Sequence, residues 1–367
     1  MRDSIIYQME PSYDVEEIKA LIKYIKDGGW GGEYIQTEKL EKMISRFSHS
    51  KYCSLTVNGT ISLIMALIAF GLKKDDEILV PDLTMIASPN SAVILDIKPV
   101  LVYVEPETLC MDLSQAEKLI TPKTKALMYV AFNGRSGNMK EVVLFCRKHN
   151  LFLIEDAAQA LGSTWQKRQL GTFGDVGSFS FSVPKIITTG QGGALITNNL
   201  RLYKKIEKIK DFGRIRGGID IHNDWGWNFK FSDFLAVIGI EQMKKLRKRV
   251  KQKKEMYKYF MRNLRDIEQI EFIPTNLNET APWFFDIYVN NRNKLLIYLK
   301  KKGVQTRVIY PAINTQKIYK EEYKKVKFPV AEKYAKKGLW LPSSIKLTRQ
   351  QMDYIIKLIR EFYKKDL

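Results

Sequence analysis

From Thr56 onwards, short apolar runs of strand length alternate with stretches whose apolar residues recur at helical spacing. The strand-length runs lie at 79–80, 100–104, 126–132, 151–154, 177–181 and 193–197. Helical periods at about 61–72, 87–95 and 138–149 separate several of these runs. Because strands alternate with helices, the pattern predicts βαβ units and a mostly parallel sheet covered by helices on both faces. We therefore expect an α/β fold.

The two ends of the chain show other patterns. Before the alternating region, residues 14–28 and 37–48 predict helices, with a glycine-rich link at 28–32. A long lysine-rich helix over about 233–263 follows the alternating region. Beyond this helix, a smaller α+β domain is indicated by apolar or helical stretches at 284–289, 293–302, 304–309 and 348–364. A length of 367 residues also favours two domains. We expect a large domain over 1–245, which includes the N-terminal helices, and a small C-terminal domain over 246–367.

The composition is that of a packed globular protein, with 45% apolar and 11% aromatic residues. No run approaches eighteen apolar residues and the N-terminus lacks the layout of a signal peptide, so we expect a soluble, cytoplasmic protein without membrane association. The three cysteines, Cys53, Cys110 and Cys146, are far apart, and the three histidines are scattered. The sequence therefore predicts neither a disulfide framework nor a metal site.

The net charge of +20 is the strongest compositional feature, and it raises the question of nucleic-acid binding. The basic residues, however, are spread over most of the chain. The densest run, 244–254, has apolar residues at intervals and is interpreted as the solvent-exposed face of a long helix. We therefore predict no nucleic-acid partner, and note that a basic surface suits an anionic substrate such as a nucleotide diphosphate.

Candidate chemistry lies at strand ends, where ligands bind in open α/β sheets. The run 151–156 ends in two acids, of which Asp156 is either a helix cap or a functional group. The strand that begins at Ser178 runs into Lys185, and the small-residue turn after it allows a ligand to approach closely. Upstream, Asn58-Gly59-Thr60 opens a helix whose free N–H groups can bind an anion.

A phosphate site, an acid and a lysine together suggest pyridoxal phosphate. This cofactor needs a primary amine for a Schiff base, a carboxylate that keeps its ring nitrogen protonated, and donors for its phosphate. The sequence therefore predicts a pyridoxal-phosphate enzyme.

Six stretches in chain order carry a family resemblance: Asn58-Gly-Thr60, Pro81-Asp-Leu-Thr84, Glu155-Asp-Ala-Ala-Gln159, Ser178-Phe-Ser-Phe181, Lys185 with Thr188-Thr-Gly-Gln-Gly-Gly193, and Gly226-Trp-Asn228. Together they resemble the sugar aminotransferases of the DegT/DnrJ/EryC1/StrS family, which are fold-type-I pyridoxal-phosphate enzymes, over nearly the whole chain. Two C-terminal stretches, 306–311 and 340–343, resemble the perosamine-synthase branch of nucleotide-sugar 4-aminotransferases. The resemblance implies a large domain with a mostly parallel sheet and a smaller C-terminal α+β domain.

The resemblance also implies roles for single residues. Lys185 would hold the cofactor and then move the proton between cofactor and substrate carbons, while Asp156 would pair with the pyridinium nitrogen. Gln159, unless it merely lies on a helix face, would contact the ring hydroxyl oxygen, and Met85 would lie against the ring. The phosphate would be bound by residues at one helix start and one strand end, namely Gly59, Thr60, Ile61 and Ser180. Alternatively, Ser180 is simply one residue of an alternating strand, with no role in binding.

The implied reaction takes an amino group from L-glutamate and gives it to a nucleotide-linked 4-keto-6-deoxy sugar. The product is a 4-amino-4,6-dideoxy sugar nucleotide for surface polysaccharide or glycan synthesis, such as the O-antigen of lipopolysaccharide. Because Asn228 matches an asparagine that reaches the phosphate of the neighbouring subunit, the resemblance implies a homodimer with shared active sites. Relatives that catalyse dehydration carry histidine at position 185, so Lys185 favours transamination.

The sequence departs from the family pattern in four places, and all of them except Lys230 lie near the expected substrate or cofactor. Met85 stands where most relatives place an aromatic residue, and the stretch 131–137 replaces the usual His-x-Tyr-Gly. Lys230 replaces an arginine, which loses a planar fork of donors, and Asn314 replaces a frequent histidine. With Arg307, the last two are the residues expected to contact the substrate.

Two alternatives follow from these departures and from the charge. The first keeps the cofactor but changes the acceptor to a 3-keto sugar nucleotide or a small keto-phosphate. The second is a non-enzymatic regulator or binding module that uses the basic surface. The presence of Lys185, Asp156 and Ser180 together argues for a working enzyme over the second alternative.

Overall fold

The computed structural model describes residues 5–365 of the chain. Its helices are α1 (Val15–Lys26), α2 (Ile35–Ser48), α3 (Gly59–Phe70), α4 (Ala87–Val93), α5 (Leu113–Glu117), α6 (Met139–Lys148), α7 (Leu200–Lys210), α8 (Asp233–Leu264), α9 (Arg292–Lys301), α10 (Lys317–Lys320), α11 (Pro329–Lys337) and α12 (Arg349–Lys365). Short 3₁₀ turns lie at Phe132–Gly134 and Ile313–Thr315. Within residues 5–365, no helix is both long enough and apolar enough to span a lipid bilayer.

The strands are β1 (Tyr52–Thr56), β2 (Glu77–Pro81), β3 (Lys98–Val102), β4 (Thr124–Val130), β5 (Phe152–Asp156), β6 (Thr164–Trp165), β7 (Arg168–Gln169), β8 (Val176–Ser180), β9 (Gly193–Thr197), β10 (Ile270–Glu271), β11 (Phe285–Val289), β12 (Arg307–Val308) and β13 (Gly338–Leu341). The apolar runs of the sequence predict most of them. They do not predict the strands β1, β6, β7, β10 and β13, nor the helices α5, α7, α10 and α11.

Seven strands form the central sheet, in the order β1-β9-β8-β5-β4-β2-β3. All of them run parallel except β9, which is antiparallel to both of its neighbours. Alternate residues of one strand enter two different cores: Leu79 packs on one face, and Ile78 and Val80 pack on the other. Because both faces are covered, the strands carry continuous apolar runs, and the predicted α/β class with a mostly parallel sheet is confirmed.

The C-terminal part contains a four-stranded antiparallel sheet in the order β10-β11-β13-β12. Helices α9 and α12 pack on it around a separate apolar core that also contains Ile6. Ile6 pairs with Val304, and Ser343 N–H donates to Gln8 O at 2.8 Å, so the N-terminal segment lies against this sheet. Helix α8 runs continuously through residues 245 and 246, and the domain boundary expected there stays a prediction.

The lysine-rich run on α8 is not wholly solvent-exposed, and this part of the charge interpretation is wrong. Arg249 and Lys253 are each 3% exposed, because their spacing of four residues places both on the buried face of the helix. Their long stems carry the charged ends to backbone carbonyls: Arg249 donates to Ser12 O at 2.9 Å and Lys253 to Ser343 O at 2.5 Å. Burial lowers the pKa of Lys253 to about 7.

A buried carboxyl group ties the end of β2 to the C-terminal part. Asp82 Oδ1 accepts the backbone N–H of Asn314, and Asp82 O accepts that of Ile313, each at 2.8 Å. Asp82 Oδ2 is buried and has no hydrogen-bond partner among the described residues. Burial therefore raises the pKa of Asp82 to about 8.

We predict that Asp82→Asn changes how stability depends on pH. The folded-state pKa lies above the unfolded value of about 3.9, so the folded protein binds the extra proton and loses stability as pH rises from about 4 to about 8. The variant should be more stable than the wild type at pH 8.5, by about 2 kcal/mol or more, and close to it at pH 4.5. Urea denaturation at the two pH values measures the difference. The exposed Asp27→Asn is the control, and an equal effect of Asp82→Asn at both pH values would contradict the prediction.

Candidate active site

The parallel direction of β2, β4, β5 and β8 brings the residues that follow these strands to one edge of the sheet. Direct contacts join them there. Ser88, on α4 after β2, donates its hydroxyl to Asp156 Oδ2 at 2.7 Å. The hydroxyls of Ser62, on α3, and Ser178, on β8, lie 2.5 Å apart. The strand ends and the start of α3 therefore form one continuous site.

Asp156 ends β5 and is 6% exposed. A turn follows it rather than a helix, which excludes the helix-cap interpretation. Its Oδ1 accepts the backbone N–H of Ala158 at 3.2 Å. Burial raises the pKa of this carboxyl group, while the hydrogen bonds from Ser88 and Ala158 and the charge of Lys185 act in the opposite direction. A carboxyl group held in this way can pair with a cationic ring nitrogen.

Lys185 lies in the turn after β8, where its N–H donates to Ser182 O at 3.0 Å. Its side chain is half-buried, and among the described residues it forms no ion pair. Burial lowers the pKa of the amine to about 8; Asp156 opposes this shift and Arg307 adds to it. A sizeable fraction of the amine is therefore neutral near pH 8, as a nucleophile or proton acceptor must be.

The start of α3 forms an anion site beside Ser180. Asn58 Oδ1 accepts the N–H of Ile61 at 2.9 Å, so this predicted phosphate donor is already engaged. The N–H groups of Gly59 and Thr60 remain, with no protein acceptor within residues 5–365. A Cβ on Gly59 would approach Ser180 Cβ to 3.0 Å, so the glycine is what allows the helix start to lie against this hydroxyl. The donor set fits a phosphate group.

Gln159 lies in the turn after β5, not on a helix face. Its Oε1 accepts the backbone N–H of Asn133 at 2.7 Å, and the residue is 6% exposed. Because the carbonyl oxygen of the amide is engaged, the Nε2 group is left as a donor. This orientation fits the predicted contact with a ring hydroxyl oxygen.

The stretch 131–137, expected near the substrate, turns its polar side chains into the interface with β11. The amide of Asn133 donates to Phe284 O and to Asp286 Oδ1, both at 2.9 Å, and its Oδ1 accepts the N–H of Phe284 at 2.8 Å. Arg135 forms an ion pair with Asp286 at 2.6 Å, and both side chains are fully or almost fully buried. These departures from the family pattern therefore join the two parts of the chain rather than face a ligand.

The remaining predicted residues are placed differently. Met85 is 43% exposed and follows Thr84, whose hydroxyl lies 2.9 Å from that of Ser88. Arg307 lies close enough to act on the charge of Lys185. Asn314 is 8% exposed and donates its amide to Glu332 at 2.8 Å. Met85 and Arg307 thus lie at or beside the site, whereas Asn314 has a structural contact.

Asn228 and Lys230 lie on the loop after α7. Lys230 Nζ donates to Asp211 at 2.7 Å, and Asn228 is exposed and pairs with the backbone of the same Asp211. The contacts that the structure gives them within this chain are to that loop, not to the residues around Lys185. Within residues 5–365 of one chain, these contacts therefore do not join Asn228 and Lys230 to the site around Lys185.

Trp283 is a site residue that the sequence does not predict. Its ring centroid lies 4.0 Å from Lys185 Nζ, and the side chain is 2% exposed. It directly precedes the apolar run 284–289, where an aromatic residue is most simply explained as core. Only the tertiary contact across about one hundred residues assigns it to the site.

Comparisons with known proteins agree with this geometry. A sequence profile of the DegT/DnrJ/EryC1/StrS aminotransferase family matches residues 12–360. The GDP-perosamine synthase of Escherichia coli O157:H7 is 34% identical over 364 residues, which is 98% of each chain. That of Vibrio cholerae is 30% identical over 362 residues, 96% of this chain and 98% of its own. The structure of Helicobacter pylori PseC, an aminotransferase involved in the biosynthesis of pseudoaminic acid, is 22% identical and superposes with a TM-score of 0.91 over 99% of this chain and 100% of that one.

We predict that Asp286→Ala strongly destabilises the protein. It leaves the Arg135 guanidinium buried without its carboxylate and removes an acceptor from Asn133. The loss should be about 3 to 5 kcal/mol in the free energy of unfolding, measured by urea denaturation. Glu38→Ala, which breaks the exposed Lys42–Glu38 pair, should cost less than about 1 kcal/mol. A loss for Asp286→Ala no larger than for this control would contradict the role of the buried pair.

Proposed function

The chain belongs to the DegT/DnrJ/EryC1/StrS family of pyridoxal-phosphate-dependent aminotransferases, and we propose that it moves an amino group from L-glutamate to a nucleotide-linked 4-keto-6-deoxy sugar. The products are 2-oxoglutarate and a 4-amino-4,6-dideoxy sugar nucleotide, which serves surface polysaccharide or glycan synthesis. One observation carries the proposal: Lys185, Asp156 and the anion site at the start of α3 meet at one edge of the sheet. The similarity to two GDP-perosamine synthases supports the choice of a 4-keto sugar.

The donor set around Lys185 fits pyridoxal phosphate. When bound, the cofactor supplies an electron sink that lets the substrate carbon give up its proton. Asp156 accepts a hydrogen bond from Ser88 on one oxygen and is available to hold a proton on the ring nitrogen. The N–H groups of Gly59 and Thr60, together with the Ser180 hydroxyl, would hold the phosphate.

Lys185 is the proton carrier of the proposed reaction. Its amine takes the proton from the amino-bearing carbon of glutamate and later gives a proton to the carbon that receives the amino group. Both steps require an amine that changes protonation state near neutral pH, which agrees with a pKa lowered to about 8 by burial. Gln159 Nε2 would donate a hydrogen bond to the ring hydroxyl oxygen of the cofactor.

Arg307 is the proposed substrate contact, because its exposed guanidinium lies on β12 near Lys185 and can bind a carboxylate or a diphosphate. Asn314 and Lys230 are weaker proposals, since their polar ends already contact Glu332 and Asp211. An exposed Asn228, which contacts its own loop, is free to reach a second subunit. We therefore propose a homodimer in which Asn228 completes the phosphate site of its partner.

We predict that the purified protein with pyridoxal phosphate shows the visible absorption of a lysine-bound cofactor, and that L-glutamate bleaches it. Lys185→Ala should lack this absorption and turn over no acceptor, because the primary amine is gone. The exposed Lys301→Ala is the matched control and should behave like the wild type. A wild type that binds the cofactor but ignores glutamate would refute the donor, and a Lys185→Ala variant with the wild-type spectrum would refute the role of Lys185.

Protein whose visible absorption has been bleached by glutamate can then be used to identify the acceptor. We expect the visible absorption to return with a nucleotide-linked 4-keto-6-deoxy sugar. It should not return with a 3-keto sugar nucleotide or a small keto-phosphate. Recovery with either of these instead would replace the proposed substrate class while leaving the aminotransferase chemistry in place.

A shared active site has its own test. We predict that Lys185→Ala and Asn228→Ala are each strongly impaired, and that their co-expression restores activity. In a random mixture half of the dimers are hybrids with one intact site, so about a quarter of wild-type activity should return. Co-expression of Lys185→Ala with Lys301→Ala is the control, because it gives the activity expected when the second subunit is fully functional. No recovery beyond the mean of the two parents would refute sharing through Asn228.

A further inference from the structure

The amine of Lys185 lies on the face of an aromatic ring. Its Nζ is 4.0 Å from the centroid of Trp283, a distance at which an ammonium group is attracted by the ring electrons. No carboxylate among the described residues lies within ion-pair distance of this amine. The indole is therefore its nearest charge-stabilising partner.

The ring of Trp283 is held rigidly. Its Nε1–H donates to Pro184 O at 2.7 Å, so the side chain is tied to the residue that precedes Lys185. It stacks on Phe284 at 4.0 Å between centroids and meets Trp340 edge-on at 5.4 Å. These three contacts hold the side chain in place, so that one face of the ring stays turned towards the amine.

Two charged groups act on the amine besides the ring. Asp156, at the end of β5, favours the ammonium form, and Arg307, on β12, disfavours it. The charges of Asp156 and Arg307 also act on Tyr310, and burial raises the pKa of its hydroxyl above the ordinary value, so it stays uncharged near neutral pH. Asp156 acts on the amine from beyond ion-pair distance, so the ring is the group in direct contact with the amine.

We propose that Trp283 is a positioning residue that receives the Lys185 ammonium whenever this amine is not bonded to the cofactor. The proposal rests on the proposed function, since it assumes that Lys185 is the cofactor lysine. The ring attracts the charge less strongly than a carboxylate does, so the amine stays close to the reacting carbon and can still release its proton. Trp283 thus stabilises the ammonium form of Lys185 while this amine is free.

The first readout is the protonation of Lys185 in the cofactor-free protein, which needs no turnover. The pH dependence of its labelling by an amine-reactive reagent, followed by peptide mass spectrometry, yields the pKa of the amine. Trp283→Leu should lower this pKa by roughly 0.5 to 1 unit, because the ammonium form loses the ring. Trp283→Phe keeps a weaker ring and should lower it by less. Phe284→Leu is the control for loosening of the same aromatic cluster and should leave it unchanged.

The second readout is the pH profile of the single-turnover reaction with glutamate. Its acidic-side midpoint, below which the amine is protonated and cannot take the proton from glutamate, should move in Trp283→Leu by the same amount and in the same direction as the pKa of the free amine. Trp283→Phe decides the outcome if the leucine variant does not fold. Equal pKa values in the wild type, Trp283→Phe and Phe284→Leu, or an equal shift in Phe284→Leu, would overturn the proposal.

The failure of the proposed function would look different. Labelling of Lys185 that pyridoxal phosphate does not block would show that this amine is not the cofactor lysine, whatever its pKa in the Trp283 variants. Blocked labelling together with an unshifted pKa would leave the proposed function standing and refute the part assigned to Trp283.

Discussion

The common direction of β2, β4, β5 and β8 is the constraint on which the rest of this protein depends. Parallel hydrogen bonding requires long crossovers, and it brings the residues that follow these strands to one edge of the sheet. Asp156, Ser180 and Lys185 are up to about thirty residues apart in sequence and meet there for this reason alone. The start of α3 joins them because Gly59 has no side chain to keep it from Ser180.

The C-terminal part is bound to this edge through buried polar contacts rather than through apolar packing alone. Asp286 on β11 neutralises Arg135 and holds Asn133, whose backbone N–H in turn orients Gln159. Trp283, which lies two residues before β11 begins, brings its ring to Lys185. A shift of β11 would therefore change both the contacts that join the two parts of the chain and the groups that surround Lys185.

One buried and one half-buried lysine show how surroundings decide the use of the same side chain. Lys253 donates to a backbone carbonyl, and burial lowers its pKa to about 7. Lys185 is also partly shielded from solvent, but its neighbours are the carboxylate of Asp156, the guanidinium of Arg307 and the indole ring of Trp283, and it follows a strand end. Burial alone makes an amine easy to deprotonate; only the second set of neighbours places it where chemistry can use this property.

The sequence by itself determined the parallel sheet, because strands buried on both faces need continuous apolar runs, and it located Lys185 and Asp156 at strand ends. It also carried the family resemblance. It could not determine that Arg249 and Lys253 are buried, that Asn133 and Arg135 face β11, or that Trp283 faces Lys185. The physical reason is the same in each case. Local patterns report which face of an element is apolar, whereas a polar or aromatic side chain acquires its role from a partner that is distant in sequence, and only the tertiary structure decides which partner that is.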